Sequence, residues 1–321
     1  MKYKKIITFP AKNLLYVIPA DILLALLCGA FVDTSALKAM ILPVAVLTIY
    51  PAMIGFQPRE LLRLSDMRLM GVNLLLNFLV LPLVAFIIGA VFLRPWPDLR
   101  TGLLIMSVIP GGNMAIPFTM LFGGNVKASI KLCAGNLLLG ATLAPLYLYV
   151  LAGTMVEVDM LQVGKIIGLV VFLPLCMGMA TYNLLRRRYS EEAFKRDIKP
   201  FLPAVSAWGL IYIVFTSISM KAQMILGHPE LIIQAMLSLA CWYVCIFVMC
   251  VMLGRLWFSR SDAVSLLLNV ELRNLAIAIG LAVTAFSSQT AMMVAMGFLF
   301  QQQFAIWFFK LEKQFHLLDA K

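Results

Sequence analysis

The stretch LLLNVELRNLAIAIGLAV (residues 266–283) is long and apolar enough to cross a bilayer, yet its first half carries two amides and two opposite charges. An ionised side chain at the bilayer centre costs at least about 2.5–3.5 kcal/mol on insertion scales. Asn269, Glu271, Arg273 and Asn274 are therefore expected to face protein or a water-filled cavity. The stretch indicates a membrane helix whose polar side chains have either structural or functional partners.

The composition of the whole chain places this helix in a multi-pass membrane protein. Of its 321 residues, 62% are hydrophobic and only 13% are charged, and the mean hydropathy is +0.96. Soluble globular domains contain about 25% charged residues. The net charge of +11 does not indicate nucleic-acid binding, because the basic residues lie in short segments between apolar spans. All six cysteines fall within predicted spans, so no disulfide framework is expected.

Ten segments are long enough to cross a bilayer core, which takes about 20 apolar residues. They are predicted near 13–31, 40–55, 69–93, 101–121, 128–152, 162–184, 201–220, 231–254, 263–286 and 290–309. With ten spans, most Lys and Arg residues fall on one side, which predicts cytoplasmic termini and a place in the cell membrane. The basic and apolar N-terminus lacks a small-residue cleavage site, so we expect it to remain as the first helix.

The ten spans divide into two halves of five, about 13–152 and 162–309, within one transporter domain over 1–321. An odd number of crossings makes the second half enter from the opposite face, so an inverted repeat becomes feasible. Span four contains NMAI and span nine contains NLAI, each in the fourth span of its half. The pattern predicts an inverted repeat in which Asn113 and Asn274 correspond.

Span four is expected to break near Pro110. The sequence SVIPGGNMAIPF places Pro110, Gly111, Gly112 and Pro117 within one crossing. Proline removes a backbone donor, and glycine lowers the cost of leaving helical geometry. Broken helices form the substrate and ion sites of many secondary transporters. We therefore take Pro110, Gly111, Gly112 and the adjacent Asn113 as candidate substrate-binding residues; a simple packing kink is the alternative.

The two charges of span nine are expected to face different neighbours. Glu271 and Arg273 are two residues apart, or roughly 200° around a helix, so they cannot form an i,i+4 pair. Arg273, with Asn274, is a candidate fixed counter-charge for an anionic substrate, and Glu271 a titratable or cation-binding group. In the alternative, Arg273 pairs with Asp21 of span one as a structural bridge.

Other polar residues within the spans have plainer interpretations. Amides such as Asn77 and Asn136 more often bridge helices than bind substrate. The three glutamines at 301–303 point about 100° apart, so at least one should face the bundle interior. The long side chain of Lys131 is expected to reach back to the membrane interface.

Four motifs make the chain similar to the bile acid:sodium symporter superfamily, which includes arsenite permeases: PGG (110–112), GNVKAS (124–129), LAP (143–145) and RNLAIAI (273–279). The resemblance implies ten helices in two inverted five-helix repeats, with a panel domain and a core domain. It also implies that helices four and nine are broken and cross near the membrane midplane. Alternating access for an organic anion is the implied activity.

The resemblance also implies a set of ion-coupling positions. The family's sodium ligands fall on Asn77, Ala115, Ile116, Ser129, Cys133, Asn269 and Arg273. A two-residue slip would bring Glu271 into the acidic role. Several oxygen ligands are thus lost and a cation is gained, which argues against two bound sodium ions. The cysteine that arsenite permeases use in span four is replaced by Met114 and its neighbours.

The sequence therefore predicts a secondary transporter for a small organic anion or oxyanion, with Na⁺ or H⁺ as candidate coupling ions and no other cofactor. An arsenite or metalloid efflux permease is the alternative, and a membrane sensor without turnover is a further one. An enzyme is not expected, because neither histidine lies in a span and no paired aspartates or Ser-His arrangement is present. The expected partners are the solute and the lipid bilayer.

Overall fold

The chain is described by a computed structural model that covers residues 7–11, 13–54, 66–111, 114–154, 159–198 and 201–318. Within these ranges nearly every residue is helical and no strand is present. Many large apolar side chains point outward, for example Phe31, Leu79 and Val248. The all-α, multi-pass membrane class that the composition predicts is thus confirmed.

Thirteen helices of the described residues are labelled here in chain order. They are α1 (Leu14–Phe31), α2 (Ile41–Met53), α3 (Met67–Phe92), α4 (Pro97–Val108), α5 (Ala115–Leu121), α6 (Val126–Ala152), α7 (Leu161–Arg188), α8 (Leu202–Ser219), α9 (Ala222–Gly227), α10 (Pro229–Trp257), α11 (Arg260–Glu271), α12 (Leu275–Ala285) and α13 (Ser288–Phe315). Short helical segments also occupy Ser35–Met40 and 191–198.

These helices account for the predicted spans with one systematic difference. Seven segments are long and apolar enough to cross a membrane, when α11 and α12 are counted together as Arg260–Ala285. Two shorter apolar helices correspond to spans one and two. Span four is absent from both groups, because it consists of two helices, α4 and α5. The physical reason is the helix break that Pro110 imposes.

The described chain separates into two compact units. The first draws on 1–57, 161–229 and 276–295. In it, α8 packs against α1 and α2, and α7 packs against α2. Gly178 lies directly against the backbone of Met53, a closeness that small residues allow between membrane helices. The hydroxyls of Tyr50 and Thr181 add an interhelical hydrogen bond of 2.7 Å.

The second unit draws on 58–160, 230–275 and 296–321. At its centre lies α11, all of whose residues from Ala263 to Glu271 are buried. This helix packs against α3, α5 and α6, and α4 packs against α3 and α6. On another side, α10 and α13 pair through stacked aromatic rings, such as Phe247 with Phe308 at a centroid distance of 4.8 Å. The polar helix of the sequence is thus the most enclosed one.

A proline inside α3 shows how this unit tolerates broken backbone hydrogen bonds. Pro82 has no N–H for the carbonyl of Phe78, and a π-helical turn occupies Leu76–Val80 just before it. The hydroxyl of Tyr147, on α6, donates to the Phe78 carbonyl instead. A side chain from a neighbouring helix therefore supplies the donor that the proline lacks.

Lys131, near the start of α6, contacts the chain just before α3. Its side chain is 7% exposed, and its Nζ lies 3.0 Å from Oδ2 of Asp66, the residue that precedes α3. Burial of the amino group became favourable because a carboxylate from another segment of the same unit contacts it.

This ion pair leads to a stability prediction. Asp66→Asn should lower the free energy of unfolding by about 2 kcal/mol, less than the about 3–5 kcal/mol of a fully buried pair, because Asp66 is partly exposed. Thermal melting in detergent measures the loss. The double variant Asp66→Asn/Lys131→Met should recover most of it, and purely additive losses would show that the pair contributes nothing.

Candidate functional site

The first element of the candidate site is the break between α4 and α5. The helix α4 ends at Val108, Pro110 follows, and Gly111 adopts φ +70°, a left-handed conformation that favours glycine. The predicted break near Pro110 is therefore confirmed. Pro117 lies inside the short α5, whereas Gly112 and Asn113 fall outside the described residues.

The second element is a break between α11 and α12. The helix α11 ends at Glu271 and α12 begins at Leu275, so Arg273 and Asn274 lie in a non-helical link. The two breaks meet, because the backbone N–H of Asn274 donates to the carbonyl of Ile109 at 3.4 Å. Proline and glycine signal the first break in the sequence; the second link contains neither.

Arg273 joins the two breaks through its guanidinium group. Its side chain is enclosed, with 1% of the residue exposed. Four of its five N–H groups donate to oxygens of the second unit: Nε to the Met106 carbonyl at 3.0 Å, Nη1 to the Val270 carbonyl at 3.1 Å and to Oδ1 of Asn77, and Nη2 to the Ser107 carbonyl. No carboxylate is among these partners, all of which belong to the second unit; the alternative pairing with Asp21 of the first unit stays a prediction.

The carbonyls that Arg273 contacts belong to helix ends that lack their usual donors. In an α-helix the carbonyl of one residue accepts from the N–H four residues later. For Met106 that residue is Pro110, which has no N–H. For Val270 it is Asn274, whose N–H is bonded to Ile109. The arginine therefore replaces the donors that the two breaks remove.

A buried network of amides and hydroxyls connects the helices around this point. Asn136 accepts from Nδ2 of Asn73 at 2.6 Å and donates to the Asn269 carbonyl at 3.2 Å. Asn269 donates in turn to Oγ of Ser129 at 2.8 Å. Asn77 donates to Oδ1 of Asn73 at 3.0 Å. All five residues are fully enclosed, and they link α3, α6 and α11 into one polar lattice.

Glu271 is the last residue of α11, two positions before Arg273. Its carboxyl group is fully enclosed, and neither oxygen has a hydrogen-bond partner among the described residues. It interacts electrostatically with Tyr243 and Cys250 of α10. Arg273 interacts electrostatically with Glu271 and with the same two α10 groups, so the expectation that the two charges face different neighbours is not confirmed.

Three residues of the site were not singled out from the sequence, or were considered there only as members of a group. Asn73 lies one turn before Asn77, and that i,i+4 spacing of two amides was its signal. Thr119 donates to Oγ of Ser129 at 3.0 Å, and a lone threonine in an apolar helix carries no such signal. Gln301, one of three consecutive glutamines, is enclosed, and its Oε1 accepts from the backbone N–H of Arg273 at 2.8 Å.

Comparison with known proteins identifies this architecture. The sequence model of the Sodium Bile acid symporter family matches residues 35–228, more than half of the chain. The chain belongs to this family. It is accordingly a multi-pass membrane transporter, and its family is one of transporters rather than enzymes.

Several named proteins are similar to the chain. The arsenical-resistance protein Acr3 of Corynebacterium glutamicum is 25% identical over 73% of this chain and 66% of its own length. The uncharacterized protein YbaS of Bacillus subtilis is 28% identical over 74% of this chain and 76% of its own. The putative symporter YfeH of Escherichia coli is 28% identical over 64% of this chain and 62% of its own.

The sodium that the family name implies does not fit the residues present. Ala115 and Ile116 offer no side-chain oxygen, and the thiol of Cys133 faces the Gly111 carbonyl at 4.0 Å. Asn77 gives its amide oxygen to Arg273. Four oxygens near the breaks, those of Asn77, Met106, Ser107 and Val270, are thus occupied by a guanidinium group, and a second cation beside it would be repelled.

Proposed function

We propose that this protein is a secondary transporter that moves a small organic anion or oxyanion by alternating access. The observation that carries the proposal is the permanently charged Arg273 at the meeting point of two interrupted helices. A unit charge acts on an anion about 6 Å away with about 3 kcal/mol at an effective dielectric constant of about 20. Arg273 can therefore attract an anion through its field, with four of its N–H groups already bonded. We assign solute binding to Pro110, Gly111, Gly112, Asn113, Arg273 and Asn274.

The composition of the two units supports the inverted repeat that alternating access would use. The first unit contains spans one, two, six and seven. The second unit contains spans three, four, five and eight, together with the first half of span nine and most of span ten. Each unit thus takes corresponding spans from both halves of the chain, apart from 276–295. We propose two inverted five-helix repeats, with both termini cytoplasmic in the cell membrane.

For coupling, we propose that the cycle does not require sodium. A sodium ion needs several oxygen ligands, and those of Asn77, Met106, Ser107 and Val270 already accept from Arg273. A proton needs only one acceptor, and the carboxyl group of Glu271, enclosed and without a hydrogen-bond partner among the described residues, supports a proton as the coupling ion. Asn269, Ser129 and Cys133 would then position α6 and α11 rather than bind a metal.

Arsenite efflux remains the second candidate, for one specific reason. The relative named Acr3 is an arsenical-resistance protein, and Cys133 lies beside the first break with its thiol directed to Gly111. Thiolates are the ligands that soft, thiophilic species prefer. Against this candidate, the other cysteines of the second unit, Cys241, Cys245 and Cys250, belong to α10 rather than to the breaks.

The proposal is tested by finding which solute stabilises the purified protein. Bile acids, pantothenate-like organic acids and arsenite should be screened by thermal shift, each in sodium and in potassium buffer. We expect an organic anion to raise the melting temperature equally in both salts, because ligand binding to the folded state stabilises it. Stabilisation by arsenite alone would favour the second candidate.

Uptake of the stabilising solute into proteoliposomes then tests coupling. We expect transport to persist when potassium replaces sodium on both sides. Transport that stops without sodium would refute the sodium-independent cycle.

A further inference from the structure

The helix ends at the two breaks together form an oxygen cage. The carbonyls of Met106 and Ser107 come from the last turn of α4, and that of Val270 comes from the last turn of α11. Asn77 of α3 adds its amide oxygen. All four oxygens converge on one guanidinium group, so three helices direct unshared oxygens toward a single point.

Such a cage has the chemistry of a cation site. Carbonyl and amide oxygens are hard donors, and the carboxyl end of a helix carries about half a negative charge. Two helix ends of this kind, α4 and α11, point at the same place in the membrane interior. Leaving the cage empty would be costly, because the buried carbonyls would lack donors and lipid cannot supply any.

We propose that Arg273 is a tethered counter-ion that fills this cage permanently, in the place that a mobile cation would otherwise have to fill. The planar fork of guanidinium reaches all four oxygens at once, which a point charge on a lysine cannot do. Because the cation is covalently attached, its occupancy does not depend on any ion concentration. Only the functional consequence of this inference rests on the proposed transport role. The cage itself is tested by measuring thermal stability.

The nearest acidic group does not explain the arrangement. Glu271, the last residue of α11, interacts electrostatically with Arg273, but neither of its oxygens accepts a hydrogen bond from the described residues. The other groups that interact with the guanidinium are Tyr243 and Cys250 of α10, and the ring of Trp242, whose centroid lies 5.8 Å from the guanidinium carbon. Within the described part of the chain, the oxygens that accept hydrogen bonds from the guanidinium are neutral carbonyl and amide oxygens.

The test is to remove the tether and ask whether a mobile cation replaces it. Arg273→Gln keeps a polar side chain but removes the charge. In choline chloride the variant should melt several degrees below the wild type. Sodium chloride at equal ionic strength should restore part of the loss, by about 3 °C or more and with saturation, as expected for binding to the folded state only. The wild type should melt at the same temperature in both salts.

Two further variants test whether the response of the melting temperature to sodium comes from the cage. Arg273→Lys keeps a tethered charge and should remain insensitive to sodium. Arg273→Gln/Asn77→Leu removes one cage oxygen, so its response to sodium should be weaker or lost. An Arg273→Gln variant that melts equally in sodium and choline chloride would overturn the proposal.

If Arg273→Gln does not fold, melting curves of the wild-type protein still test the proposal. Sodium-specific stabilisation of the wild-type protein would show that the cage is not filled by the arginine, and would overturn the inference. A failed solute screen leaves these melting curves unaffected, so the transport proposal and the cage can fail separately.

Discussion

Replacing Arg273 with alanine should abolish solute binding and destabilise the second unit. The field that attracts the anion, worth about 3 kcal/mol, would disappear, which corresponds to about a hundredfold loss of affinity. The carbonyls of Met106, Ser107 and Val270 would also lose their donor. Each buried acceptor left without a partner costs about 1–3 kcal/mol, so the free energy of unfolding should fall by several kcal/mol.

Affinity and stability can be separated by a second substitution at the same position. Arg273→Lys keeps the charge but loses the fork, so it should bind solute better than the alanine variant while remaining less stable than the wild type. Equilibrium binding of the solute found by thermal shift measures the first property, and melting in detergent the second. If Arg273→Ala binds solute with unchanged affinity, the arginine is purely structural.

Gly111→Ala should have the second large effect. The residue adopts φ +70°, which costs a non-glycine residue about 1–2 kcal/mol. A Cβ there would lie 2.6 Å from Cβ of Asn136 and 3.3 Å from its Nδ2. Asn136 would have to move, and with it the hydrogen bonds to Asn73 and Asn269. Including about 1–3 kcal/mol for overpacking, we expect a loss of about 2–5 kcal/mol and strongly reduced transport.

The matched control for this substitution is Gly71→Ala in α3 of the same unit. A Cβ at Gly71 would meet no atom within 4 Å. Alanine in a helix is favoured over glycine by roughly 0.5–1 kcal/mol, so this variant should be equally or slightly more stable than the wild type. Melting temperatures and uptake rates of the two variants should therefore diverge, and a Gly111→Ala protein that behaves like Gly71→Ala would show that the break does not need its left-handed residue.

Sequence patterns predicted the features that depend on local chemistry. Apolar length predicted the membrane helices, and Pro110 with Gly111 predicted the break after α4. Two charges within an apolar span predicted that both face protein or a cavity, and Glu271 and Arg273 are both enclosed. These inferences succeed because a missing N–H, an unfavourable φ or a charge in lipid has the same cost wherever the residue lies in the fold.

The sequence alone thus determined the membrane class, the family resemblance and the presence of a costly cation in the ninth span. The tertiary structure decided what satisfies that cation. The carbonyls of Met106, Ser107 and Val270 carry no residue-type signal, since every residue has one, and Asn77 lies almost two hundred positions from Arg273. Only the meeting of two helix ends brings these oxygens together, and their need for a donor is what makes a buried arginine stable there.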